Sequence, residues 1–341
     1  MQSPDNPRDA IESNGARSRE KANVVTNRSI WMVFWKWVIV AVVVLFLGLT
    51  LQRAYQDIHS HREHLDFSKI EWLWLGLGVL LYMAGLIPAG IAWLQTLKSF
   101  KQSVPFWFGM NVYLLGHLGK YVPGKAMVLV LRVGKLHPIG VEIKPTIVSI
   151  FVETLTSVCT GAILGSLLML FQSPPRWMML GAACTILISS ILLLPHTFRA
   201  VLMLLAKSKI GRMPRTVSDA FTWRLMVRNS CWMVLGWLLH GTASWLVLCG
   251  LYPVGELGTI DAWSLCVAAN ALGAVVGFAS MLPSGAVVRE LVILGLLSKL
   301  VPQPVALCAA VLFRIGSLIA ELTVIWLLSL TALAKTRPDE K

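Results

Sequence analysis

The segment Gly116–Lys135 reads GHLGKYVPGKAMVLVLRVGK. Its Leu, Val and Gly content is that of membrane-embedded chain. It nevertheless carries Lys120, Lys125, Arg132 and Lys135 and is broken at Pro123-Gly124. Proline removes a backbone donor and clashes with the preceding turn, so it ends or kinks a helix. The segment is therefore not one clean transmembrane helix, and its surroundings decide what it is.

Of the 341 residues, 56% are hydrophobic and only 14% charged, against about 25% charged in soluble domains. Mean hydropathy is +0.69. Several apolar runs reach the roughly 20 residues that a helix needs to cross a bilayer. In lipid the backbone must satisfy its own hydrogen bonds, and the alternation of a transmembrane barrel is absent. The expected fold class is an all-α polytopic membrane protein, with about seven to eight transmembrane helices plus re-entrant or broken helical hairpins.

The net charge of +13 fits cytoplasmic loops and anionic lipid headgroups. With no separate basic domain, nucleic acid is not an expected partner. The six cysteines lie in apolar segments without a CxxC pair and read as packing residues. The run HSHREH places His59, His61 and His64 beside Asp57 in a polar loop. It reads as solvated rather than metal-binding, and no metal or cofactor is expected.

Residues 1–30 read as a disordered cytoplasmic tail, residues 31–333 as a single transmembrane domain and 334–341 as a second tail. Spans are expected at about 31–51, 72–94, 146–171, 177–194, 231–251, 262–282 and 305–333. Trp31, Trp72, Trp177, Trp232 and Trp263 fall near their ends, where indoles favour the headgroup layer. The loop 197–230 sets Arg199, Lys207, Lys209, Arg212, Arg215, Arg224 and Arg228 against Asp219 alone. Within it, FRAVLMLLAKSKIG reads as an interfacial helix.

The positive-inside rule puts this loop and the Lys98/Lys101 turn on the cytoplasmic side, with the N-terminus. Only two long spans separate that turn from the loop. The segment 104–135 must then leave the inside face and return to it, as a re-entrant hairpin or as two short crossings.

A second break echoes the first. SMLPSGAVVRELVILGLL puts Pro283 and Gly285 before a short apolar helix, and 283–300 is the second re-entrant candidate. Pro145 and Pro304 each open a long span downstream. Paired interrupted segments in corresponding halves mark many secondary transporters, so the two halves are read as an internal repeat. Coincidence is the competing reading.

Ionisable groups inside membrane helices cost about 2.5–3.5 kcal/mol each on insertion scales and persist when paired or facing a wet cavity. Glu153, Arg289, Glu290, Arg314 and Glu321 are such groups. Arg289 and Glu290 point about 100° apart, so each is expected to face another helix, with Glu153 the natural partner for Arg314 or Arg289. The bland reading is a set of structural ion pairs. The functional one is a cationic cavity for an anionic headgroup, with Lys120, Lys125, Arg132, Arg289 and Arg314 binding it. Glu153, Glu290 and Glu321 would act as counter-charges or proton carriers, and Pro123, Gly124, Pro283 and Gly285 as the helix breaks. His240, Asn111 and Asn270 are candidates for hydrogen bonds between helices.

The blocks LGKYVPGK and LPSGAVVRELVILGLL resemble the transmembrane, flippase-like region of lysylphosphatidylglycerol synthases. Pro283, Gly285, Arg289 and Glu290 match a characteristic motif of that family, while Ser284 and Val287 stand where it usually has glycines. Arg314 in the last long span also fits. The resemblance implies a helical bundle with re-entrant segments and a lipid-handling role. The soluble aminoacyl-transfer domain of the bifunctional members is not expected here, nor is a catalytic motif.

The function expected is an inner-membrane lipid transporter. The alternatives are an integral-membrane transferase using Asp57 or Asp66, or a non-transporting partner of a cell-envelope synthesis complex. Anionic membrane lipids are the expected ligands, and cell-envelope glycosyltransferases or lipid-synthesis proteins the partners considered.

Overall fold

Six helices among the described residues are long and apolar enough to cross a membrane. In this computed structural model the described residues are 70–117, 119, 126–209, 214–253, 255, 258–280, 285 and 288–335. The expected span at 31–51, the histidine-rich loop, Asp57, Asp66, Lys120, Pro123, Gly124, Lys125 and Pro283 lie outside them. The helices are α1 (Trp72–Ser99), α2 (Phe106–His117), α3 (Ala126–Leu136), α4 (Ile143–Leu170), α5 (Arg176–Leu193) and α6 (Pro195–Lys209). They continue with α7 (Arg215–Ser218), α8 (Trp223–Cys249), α9 (Ile260–Ala279), α10 (Val288–Leu297) and α11 (Gln303–Lys335). Helices α1, α4, α5, α8, α9 and α11 supply the candidate spans.

Two ends of the bundle are fixed by contacts. At the basic end, Phe100, Val148, Phe198, Val217, Phe221 and Met226 share one apolar cluster. At the opposite end, the Glu71 amide donates to the Gly250 carbonyl (3.0 Å). There too Gln172 Nε2 donates to the Asp261 carbonyl and Ser264 Oγ (3.1 and 2.9 Å).

The segment quoted at the outset is half of a hairpin whose arms are α2 and α3, packed on each other. Its two feet meet at the basic end, where the Glu142 amide donates to Gln102 Oε1 (3.0 Å). The glycines of GHLG make the close packing feasible. A Cβ at Gly116 would lie 2.6 Å from Arg132 Cγ, and one at Gly119 would lie 2.6 Å from the Val128 nitrogen.

The second hairpin is α9 and α10, and its feet meet at the opposite end. Ala262 at the start of α9, Leu297 at the close of α10 and Val305 at the start of α11 share a cluster with Leu248. The two hairpins therefore enter from opposite ends, because α4, α5 and α8 intervene and three crossings reverse the direction. This is the inverted arrangement common in secondary transporters.

Gly285 takes φ +64°, and a Cβ on it would lie 2.8 Å from Gly277 Cα. Backbone strain and close approach coincide at this residue. Gly285→Ala should cost about 1–3 kcal/mol, visible as a lower thermal midpoint in detergent.

Two sequence expectations need correction. Helix α8 begins at Trp223, inside the expected loop 197–230, with Thr222 capping it by accepting from the Leu225 amide (3.3 Å). Arg224 and Arg228 on its first two turns lower the local hydropathy and hid its start. Trp232 consequently lies within α8, and the border tryptophan is Trp223, which is 59% exposed.

Candidate functional site

Tyr82, Glu153 and Asn270 each stand ten positions beyond the first residue of α1, α4 and α9. At 1.5 Å per residue that is about 15 Å into the bundle, half of a hydrocarbon core of about 30 Å. His240 stands nine positions before the end of α8. The end of α2 and the start of α10 reach the same level with His117 and Arg289. These six residues, with Tyr113 and Trp237 among the others, line a cavity of about 170 Å³. Small residues give it room. A Cβ at Gly85 would lie 2.5 Å from His240 Cδ2.

The charges around the cavity are organised as two ion pairs and one less constrained cation. Arg132 is 1% exposed and pairs with Glu153. Its guanidinium lies between the rings of Trp93 and Tyr113, 4.6 and 4.5 Å from their centroids. Tyr113 donates to the other oxygen of Glu153 (3.2 Å). Arg314 pairs with Glu290, itself 5% exposed.

The expectation that Glu153 would face Arg314 or Arg289 is therefore incorrect. The hairpin fold lays α3 against α4, and Arg132 reaches Glu153 first. The two halves solve one problem with opposite polarity. In the first, the short helix carries Arg and the following long helix Glu. In the second, the short helix carries Glu and the long helix Arg.

Arg289 differs from both. It has no carboxylate within ion-pair range among the described residues. It donates instead to Asn270 Oδ1 (2.8 Å), and its guanidinium lies 5.8 Å from the Phe313 ring centroid. Asn270 is held for this task, since its Nδ2 donates to the His240 carbonyl (2.9 Å).

Glu321 is 1% exposed. It accepts from the Tyr82 hydroxyl (2.7 Å) and faces His117 Nε2 at 3.7 Å. Tyr82 stacks on His240, with centroids 4.4 Å apart. One polar network thus joins both hairpin tips to α1, α8 and α11.

The sequence-based count of surplus positive charge changes accordingly. Among the described intramembrane groups, Arg132, Arg289 and Arg314 are matched in number by Glu153, Glu290 and Glu321. A surplus rests on Lys120 and Lys125, which lie outside the described residues. Sequence reasoning gave no role to His117, Tyr82 or Tyr113. The signal available was a histidine followed two residues later by glycine at a hairpin tip, and tyrosines within apolar runs.

A family model described as "Lysylphosphatidylglycerol synthase TM region" matches residues 33–325. No curated protein matches the chain.

Proposed function

The chain belongs to the family of the lysylphosphatidylglycerol synthase transmembrane region, and from that membership we propose that it binds the phosphate-bearing headgroup of an anionic membrane lipid in its mid-bundle cavity and moves that lipid between leaflets. The observation that carries the reading is Arg289. It is a guanidinium at the cavity wall, held among the described residues by a neutral amide (2.8 Å to Asn270 Oδ1) rather than by a carboxylate. Guanidinium groups recognise phosphate through a planar fork of donors, and exchanging an amide for a phosphate strengthens the bond. His117 and His240 supply further ring nitrogens at the same wall.

Arg132 and Arg314 are committed to Glu153 and Glu290. In this reading they hold the hairpins in place and contribute to the site through position. Lys120 and Lys125 keep their sequence-based assignment as additional headgroup cations. Of the three acids, Glu153 lines the cavity itself, and Glu321 reaches its wall through Tyr82 and His117.

The protein is taken to lie in the inner membrane with its basic end cytoplasmic, where each Lys or Arg attracts anionic lipid by about 1 kcal/mol. On a cysteine-free background, an impermeant thiol reagent is expected to label a cysteine at 101 only from the cytoplasmic side. It should label one at 172 only from the other side. The reverse pattern would invert the orientation.

The functional test is translocation of a labelled phosphatidylglycerol in proteoliposomes. Rates above protein-free vesicles support transport. Equal rates, with lipid still bound at the cavity, would favour a non-transporting lipid-binding role.

A further inference from the structure

Helix α5 is the least packed of the candidate spans, with only Ala182 and Ser189 buried. It leans on α4 and α6 and leaves a groove against α8 near the basic end. That groove encloses about 470 Å³, within the roughly 300–1,000 Å³ of small-molecule sites. Its walls are apolar side chains such as Leu193, Leu194, Val227, Val234 and Leu238, and Trp223 stands at its basic-end mouth. The groove uses the face of α8 turned away from the central cavity, which takes Met233, Gly236, Trp237 and His240 instead.

Cations gather at the same mouth. On the α8 wheel, Arg224 falls about 60° from Val227, at the groove's edge, and Arg228 about 100°, on its flank; neither is among the lining residues. Arg199 follows Leu194 by five residues, early in α6. The Nε atoms of Arg199 and Arg228 are buried without a hydrogen-bond partner among the described residues. Asp219 is the one acid in residues 197–230. A buried donor left unpaired is costly.

We propose that this groove is a second lipid site, separate from the central cavity, which seats a phospholipid of the leaflet at the basic end. An acyl chain lies between α5 and α8, and an anionic phosphate caps the mouth at Arg199, Arg224 and Arg228. An apolar slot alone would accept any lipid tail. The arginines make it select anionic over zwitterionic headgroups. The site stands whether or not the cavity transports.

Trp223 reports on it. Vesicles of phosphatidylcholine containing a minor fraction of acyl-brominated phosphatidylglycerol should quench the Trp223 component, taken as wild type minus Trp223→Phe. Brominated phosphatidylcholine at equal content should quench it less. Arg224→Gln and Arg228→Gln should each reduce the preference about fivefold, the equivalent of about 1 kcal/mol per cation. Arg224→Lys should retain it.

Filling the slot with Val234→Phe should remove the quenching by both lipids. Arg289→Gln should leave it unchanged, which separates this site from the cavity. Equal quenching by the two lipids in wild type would overturn the proposal, as would quenching insensitive to Val234→Phe.

Discussion

Replacing Arg132 by methionine is expected to destabilise the bundle by about 3–5 kcal/mol, the cost of breaking a buried ion pair from one side. Methionine keeps much of the length and apolar stem of arginine, so packing between Trp93 and Tyr113 is largely preserved. What is lost is the charge. Glu153 is left inside the bundle with the Tyr113 hydroxyl at 3.2 Å as its remaining partner among the described residues. The measurement is the unfolding midpoint in detergent micelles. The double variant Arg132→Met/Glu153→Met removes both charges and should recover most of the loss. The difference in a double-mutant cycle gives the coupling. A single variant as stable as wild type would show that the pair does not hold the first hairpin to α4.

Arg289→Gln should behave in the opposite sense, with little effect on stability and a large one on lipid. Glutamine can still donate to Asn270, and no carboxylate among the described residues loses its partner. The charged donor facing the cavity is gone. Hydrogen bonds to charged groups contribute about 1.5–3 kcal/mol, so the affinity of the cavity for an anionic lipid should fall about 10- to 150-fold. Translocation in proteoliposomes should fall with it. Arg289→Lys keeps the charge but not the fork and should lie between the two. An Arg289→Gln protein that melts well below wild type, with lipid affinity intact, would make Arg289 a structural residue.

Much of the architecture was legible because hydropathy and loop charge are strong signals. Span ends at Trp72, Trp177 and Trp263 lie within three residues of the observed helix starts. Charge parity required the segment around Pro123 to return to the side it left, and the Gln102–Glu142 contact joins the two feet of that hairpin. The start of α8 was not legible by hydropathy, since Arg224 and Arg228 masked it, although Thr222 offered a cap. The inversion of the two hairpins follows from counting three crossings between them.

The site was half legible. Buried charges could be picked out because they are expensive in lipid, but their pairing could not. Which arginine meets Glu153 depends on how α3 lies against α4, and Gly116 and Gly119 allow the close α2–α3 packing that sets Arg132 in place. His117 and Tyr82 carried only a weak sequence signal, a polar side chain within an apolar run. They matter because two hairpin tips and the middles of four helices converge on one level.

Where the headgroup sits can be read directly by photocrosslinking. A phosphatidylglycerol bearing a diazirine on its headgroup, incorporated beside the full chain in vesicles and illuminated, leaves adducts that peptide mass spectrometry can map. Adducts are expected at cavity residues such as Tyr82, His117 and Trp237, competed by unlabelled phosphatidylglycerol and lost in Arg289→Gln. Adducts confined to the bundle surface in wild type, or cavity adducts that persist undiminished in Arg289→Gln, would contradict this placement.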